Sequence, residues 1–128
     1  MYQYKLNMNT IVVQKIRSVS TSNYELAEKY YNTLAIVNNL KLTQREIQLI
    51  AFTAIHGNLS DGIIREEFCK KYDTTSATIS NIVSKLKKLN IIIKNEGEIK
   101  INPVIVINFD LDVLLEIKLV HEDQGTID

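Results

Sequence analysis

The side chains with the clearest chemical role lie between Thr74 and Asn95. This window contains four lysines, at positions 85, 87, 88 and 94, and no carboxylate, so it has a formal charge of +4 in a chain whose net charge is zero. Lysine ammonium groups bind phosphates, whereas hydroxyl and amide groups bind phosphate oxygens or the edges of bases. The chemistry indicated is local recognition of a polyanion.

Residue types that support catalysis or metal binding are scarce elsewhere. Cys69 is the single cysteine, and His56 and His121 are the only histidines. An intrachain disulfide is therefore impossible, and a zinc site would lack ligands. The four glycines form no phosphate-binding loop, and no helix has paired carboxylates at catalytic spacing. The sequence predicts a protein that is not an enzyme and needs no cofactor or metal.

Composition sets the class of protein. A chain of 128 residues with 45% hydrophobic and 23% charged residues fits one globular domain. No apolar run approaches the length of about 18 residues that a membrane span needs. The first ten residues alternate polar and apolar side chains, unlike a secretory signal. We expect a cytoplasmic location and no membrane partner.

Start and stop signals predict helices in the first half of the chain. The first helix covers about residues 24–40, where apolar side chains recur at helical spacing. The second covers residues 44–56, since Thr43 and Glu46 have the spacing of a capping box. Gly57 then supplies the left-handed residue that ends such a helix.

A third and a fourth helix follow, joined by a turn at residues 73–75. Ser60 or Asp61 can cap the third. The fourth has two different faces at about 3.6 residues per turn. Its predicted buried side consists of Ile79, Ile82, Val83, Leu86 and Leu89. The opposite side consists of Ala77, Asn81, Ser84 and Lys88, flanked by Thr78 and Lys85. Small residues on this outer side would permit close approach of a partner.

The chain then reverses at Asn90, a residue that tolerates the left-handed conformation. Two apolar runs, residues 91–94 and 99–101, flank Asn95-Glu96-Gly97, a sequence suited to a hairpin turn. Pro103 ends the second run. The sequence predicts a β-hairpin here.

Both ends of the chain show the period of a β-strand. Residues 1–8 alternate, and every odd position from Ile105 to Leu119 is apolar. Segment 110–120 also fits a helix, but four helical matches weigh less than eight matches to a period of two, so strand is preferred. Because unpaired edges are a liability, we expect residues 1–8 to pair with 111–120, in the same chain or another.

From Thr74 to Asn102 the chain resembles the winged helix-turn-helix DNA-binding superfamily, and with the two preceding helices the resemblance covers about residues 42–108. Ile101-Asn102-Pro103 after the hairpin resembles the replication initiators of some plasmids and phages, and the chain is also similar to small bacterial and phage regulators. The implied fold class is α+β: a helical core with a β-hairpin wing, plus N- and C-terminal strands. The predicted regions are an N-terminal arm (1–22), a winged-helix domain (23–108) and a C-terminal strand with an acidic tail (109–128).

The resemblance implies that the fourth helix enters the major groove of double-stranded DNA. Asn81 is then the best candidate for a base contact, because its amide can pair with adenine. By position, the implied contacts to base edges or phosphates are Thr75, Ser76, Thr78, Asn81 and Ser84. The implied contacts to the phosphate backbone are Lys85, Lys88 and Lys94. The expected role is transcription regulation or replication in a phage or bacterium.

Two departures from the family pattern, together with the near-zero net charge and the acidic tail, favour an alternative. The recognition segment contains no arginine, and Glu96 and Glu98 place negative charge at the tip of the hairpin. Only a few lysines also imply weak binding by one copy, so we expect a homo-oligomer or a larger assembly. The alternative is a structural or assembly protein, for example a phage particle component, that uses the terminal strands for protein contacts.

Overall fold

The computed structural model describes residues 2–6, 9–13 and 18–121, with side chains from residue 18 onward. The fold is α+β. Its helices are α1 (Asn23–Val37), α2 (Gln44–His56), α3 (Gly62–Tyr72) and α4 (Ser76–Lys88). Its strands are β1 (Tyr2–Leu6), β2 (Asn9–Val13), β3 (Ile92–Asn95) and β4 (Glu98–Ile101), and a short 3-10 turn covers Pro103–Ile105.

The helix boundaries follow local hydrogen bonds. The predicted capping box of α2 is confirmed, since the Thr43 hydroxyl accepts from the Glu46 backbone and the Glu46 carboxylate accepts from the Thr43 backbone. The first helix ends earlier than predicted, at Val37. The reason is Asn39, whose φ of 56° reverses the chain.

One hydrophobic core joins the helices to the β3–β4 hairpin. Helix α2 lies at its centre and buries most of its apolar side chains, and Phe68 of α3 and Ile92 of β3 are also buried. Cys69 packs at the edge of this core, as predicted for a packing residue. The core therefore fixes α4 and the hairpin on the same body.

A three-residue turn joins α3 to α4. Asp73 has a φ of 50° and ends α3, and Thr75 caps α4. Asp61 caps α3 through its side chain, which accepts from the Ile63 backbone N–H at 2.9 Å. The sequence alone was compatible with either Ser60 or Asp61 as the cap. The order of helix, short turn, helix and hairpin is compatible with a winged helix.

The predicted hairpin is confirmed. Strands β3 and β4 are antiparallel, with Ile92 opposite Ile101 and Asn95 opposite Glu98. The two turn residues, Glu96 and Gly97, both have positive φ (52° and 80°), as in the type I′ turn that matches strand twist.

A contact distant in sequence holds the hairpin against the helices. The backbone N–H of Leu59 donates to the carbonyl of Ile99 at 2.8 Å. The side-chain oxygen of Asn58 accepts from the backbone N–H of Ile99 at 3.0 Å. The loop after α2 therefore pairs with β4 and sets the position of the hairpin.

The prediction of a C-terminal strand was wrong for the single chain. Residues 112–121 form neither a strand nor a helix. The predicted N-terminal strand is present as β1, but it pairs with β2, with Tyr2 opposite Val13. A period of two shows which side chains would share a face of a strand, but a strand also needs a hydrogen-bonding partner, and the described chain gives this segment none. The predicted acidic tail beyond residue 121 lies outside the described residues.

Leu89 also departs from prediction. It was placed in the buried stripe of the fourth helix, yet α4 ends at Lys88 and the Leu89 side chain is 41% exposed. The left-handed Asn90, with a φ of 59°, turns the chain directly after it, as predicted. Leu89 caps the helix instead of extending its buried side.

Candidate nucleic-acid interface

Helix α4 presents one side to the core and the other to solvent. Ile79, Ile82, Val83 and Leu86 are buried. The opposite side is exposed, as predicted, and consists of Ala77, Asn81, Ser84 and Lys88. We call these four residues the outer face of α4. Its short side chains leave the helix backbone accessible to a partner.

The start of α4 is organised by its own hydroxyl groups. Thr75 Oγ1 accepts from the backbone N–H of Thr78 at 3.2 Å and lies 3.1 Å from Thr78 Oγ1. Thr75 and Ser76 are exposed, and Thr78 is half-buried. The positive end of a helix dipole and its unpaired N–H groups attract phosphate. The predicted contacts at this end are therefore accessible, but Thr75 has a structural task as well.

Lys85 lies at one flank of the outer face and turns toward α2. Its Nζ donates to Glu46 Oε1 at 2.9 Å and to the carbonyl of Lys41 at 3.3 Å. The Glu46 side chain is 9% exposed, and the Lys85 side chain is 44% exposed. The structure thus places this predicted phosphate contact in an ion pair with the body of the protein.

The electrostatics of Glu46 follow from this pair. Burial raises the pKa of Glu46, but hydrogen bonds from Lys85 and from the Thr43 backbone outweigh burial, so the pKa lies below the ordinary value of 4.5. Glu46 is therefore ionised at neutral pH, and it cancels the charge of Lys85. The pair leaves little net charge at this flank.

At the other flank, α3 supplies a cation that sequence reasoning missed. Arg65 Nη2 donates to Ser80 Oγ at 3.0 Å, which brings a guanidinium group beside α4. A guanidinium has several N–H donors and suits phosphate. The sequence offered only an indirect signal. In helix-turn-helix proteins the first helix packs against the second, so a side chain on the first helix, such as Arg65, can lie beside the outer face of the second.

The hairpin carries a mixed charge. Lys94 on β3 is exposed. Glu98 forms an ion pair with Lys100 across 2.6 Å, so one of the two carboxylates near the hairpin tip is neutralised. Glu96 is exposed in the turn. Among the cations on or beside α4 within residues 18–121, Arg65, Lys87, Lys88 and Lys94 have no ion pair with a carboxylate.

An open cleft of about 560 Å³ lies on another part of the body, between the end of α2, strand β4 and the turn after it. His56 lines it, and its Nε2 lies 2.7 Å from the hydroxyl of Tyr24. Across the described ranges, no group of three His, Cys, Asp or Glu side chains is placed to hold a metal ion. No described helix is long and apolar enough to cross a membrane.

Comparisons with models of protein families, with curated proteins and with solved structures found no match to this chain. The function is therefore inferred from the geometry of α4 and of the groups that flank it.

Proposed function

We propose that the protein binds double-stranded DNA through the outer face of α4, as a winged-helix regulator or replication-associated factor of a phage or bacterium. The observation that supports this most is the contrast across α4. One side is buried, while the other combines short side chains, the amide of Asn81 and the ammonium group of Lys88. The carboxylate of Glu46, which lies beside α4, is paired with Lys85.

Steric considerations support a helix in the major groove. The groove of B-form DNA is about 12 Å wide and admits an α-helix. The side chains of Ala77 and Ser84 are short and project little from the helix. The helix can therefore approach the floor of the groove closely enough for the Asn81 amide to reach the bases. That amide can donate a hydrogen bond to N7 of adenine and accept one from the exocyclic amine of the same base, which gives a bidentate pair. Asn81 is the proposed specificity residue.

The flanking cations would hold the phosphate backbone. Arg65 lies at the α3 flank, Lys87 and Lys88 occupy the last turn of α4, and Lys94 follows on the hairpin. Contacts of this kind position a protein on DNA without reading its sequence. With so few cations, one copy would bind weakly at physiological salt, so two copies on two half-sites would be needed.

The test is fluorescence anisotropy with a pool of AT-rich duplexes at two salt concentrations. We expect salt-sensitive binding by the wild type and its loss in the Asn81→Ala, Lys88→Ala double variant. Lys70→Ala is the matched control, because Lys70 is an exposed lysine on α3 that pairs only with Glu66 among the described side chains. Absence of binding at low salt by folded protein, or equal loss in the control, would refute the proposal.

A second function of a different class is favoured by one observation. The C-terminal segment exposes large apolar side chains, including Leu114 (95%) and Leu119 (89%). Exposed apolar stretches of this kind mark protein contacts. A structural or assembly role, in the cytoplasm or in a phage particle, is therefore the alternative if the anisotropy experiment fails.

A further inference from the structure

The C-terminal segment, residues 111–119, is an unpaired stretch with the pattern of a strand. Its odd positions are Leu111, Val113, Leu115, Ile117 and Leu119. Four of these five side chains are exposed by 40% or more. In an extended conformation they would share one face. The segment therefore has the sequence of a half-buried strand but no partner within the described chain.

The β1–β2 hairpin is a sheet with unpaired edges. Within the described residues, each of these strands has only the other as its partner. An isolated two-stranded hairpin is marginally stable in water, and a third strand contributes hydrogen bonds and covers one face. The edge of a sheet that has no neighbouring strand can accept an added strand.

The two segments leave the body of the protein at the same place. Asn23, the first residue of α1, donates from Nδ2 to Asp110 Oδ1 at 3.3 Å. The N-terminal segment joins α1 at this point, and the C-terminal segment begins there. A second copy that contacts this corner would meet both segments at once.

The charges of the two segments are opposite. Residues 1–17 contain Lys5, Lys15 and Arg17 and no carboxylate, which gives a formal charge of +3. The C-terminal segment contains Asp112, Glu116 and Lys118, a formal charge of −1, and the longer stretch 110–128 around it contains six carboxylates and one lysine, a formal charge of −5. Opposite charges favour pairing of one segment with the other, and like charges disfavour pairing of either segment with its own kind.

We propose that residues 111–119 of one copy add as a strand to the β1–β2 hairpin of a second copy, and that the exchange is reciprocal. Within the described residues, the C-terminal segment has no strand partner and β1 and β2 pair only with each other, although the two segments leave the body at one corner. In a two-fold arrangement, the C-terminal segment and the hairpin of each copy both gain a strand partner. The arrangement is closed, so it gives a dimer. Nine extended residues span about 30 Å, longer than either strand of the hairpin.

Charge reversal in the full-length chain tests the exchange. One variant carries Lys5→Glu, Lys15→Glu and Arg17→Glu, and the other carries Asp112→Lys and Glu116→Lys. Sedimentation velocity at low salt should show a wild-type dimer and a dimer dissociation constant at least about tenfold higher for each variant alone. An equimolar mixture should form a heterodimer, since each basic segment then meets an acidic one.

The packing of the added strand has its own control. Leu115→Asp with Ile117→Asp should dissociate the dimer, whereas Leu114→Asp, on the opposite face of the strand, should leave it largely intact. A monomeric wild type would overturn the proposal, as would failure of the mixture to associate, which would indicate pairing within one chain. These measurements contain no DNA, so their outcome is independent of the proposed DNA binding.

Discussion

At the scale of single residues, the two lysines of α4 that sequence reasoning treated alike have different surroundings. Lys85 is tied to Glu46 and to the carbonyl of Lys41, while Lys88 is exposed on the outer face. Replacing both at once would confuse a folding defect with lost contact to a ligand. The structure therefore separates a stabilising lysine from a candidate binding lysine.

The Glu46–Lys85 pair predicts a pH-dependent contribution to stability. The pKa of Glu46 is lower in the folded protein than in the unfolded protein. The stabilising contribution is therefore present at pH values above the pKa of the unfolded state, and it is lost as the pH falls through the lower pKa of the folded state. Lys85→Ala should lower the free energy of unfolding at pH 7 by about 1 kcal/mol, since it leaves a mostly buried carboxylate unpaired. Urea unfolding at pH 7 measures this.

The same experiment at acid pH checks the cause. Well below the ordinary Glu46 pKa of 4.5, the carboxyl is protonated in both proteins, so the difference between Lys85→Ala and wild type should shrink. Lys87→Ala is the control, because Lys87 is exposed and forms no ion pair within the described residues. An undiminished difference at low pH would show that the ion pair is not responsible.

At the scale of elements, the start of α4 combines a structural task with a candidate contact. Thr75→Ala removes the oxygen that accepts from the Thr78 N–H, and should cost about 1 kcal/mol of stability. Thr75→Ser keeps that oxygen and should retain nearly all of the wild-type stability. Chemical denaturation of the three proteins measures the effect. Equal stability of the Ala variant and the wild type would mean that the cap contributes nothing.

The position of the hairpin is also decided between elements. It follows α4 directly, but its second strand is held by Asn58 and Leu59 in the loop after α2. The hairpin therefore contacts both the helix before it and a loop about 40 residues earlier in the chain. Any partner that contacts Lys94 and α4 together meets two elements fixed relative to one another.

At the scale of the whole molecule, a net charge of zero conceals an uneven distribution. Among the described side chains, Arg65, Lys87, Lys88 and Lys94 lie on or beside α4 without a paired carboxylate, and the C-terminal segment is acidic. Net charge is thus a poor guide to partners here, because a polyanion would respond to the local charge.

This distribution predicts the salt dependence of the proposed DNA binding. Each phosphate neutralised contributes about 0.9 to the slope of log K against log salt, so four cations give a slope between about −3 and −4 for one copy. A dimer on two half-sites would roughly double it. Arg65→Ala should reduce the magnitude by about 1 per copy, and Lys70→Ala should not change it. Anisotropy titrations over a salt series measure the slope; no change in Arg65→Ala would exclude Arg65 as a phosphate contact.

The sequence determined the parts of the structure that depend on near neighbours. The caps at Thr43 and Thr75, the reversal at Asn90 and the turn at Gly97 each depend on residues within a few positions, so their signals are local. The two faces of α4 were also predictable, because helical periodicity assigns them before any packing is known.

Tertiary structure decided what depends on distant residues. The pairing of Lys85 with Glu46 and the approach of Arg65 to Ser80 join positions far apart in the chain, and no local pattern specifies them. The C-terminal segment also shows that a local sequence pattern does not specify tertiary pairing. Its alternation is a property of the sequence, but a strand forms only where another backbone supplies hydrogen bonds, and the described chain does not supply one.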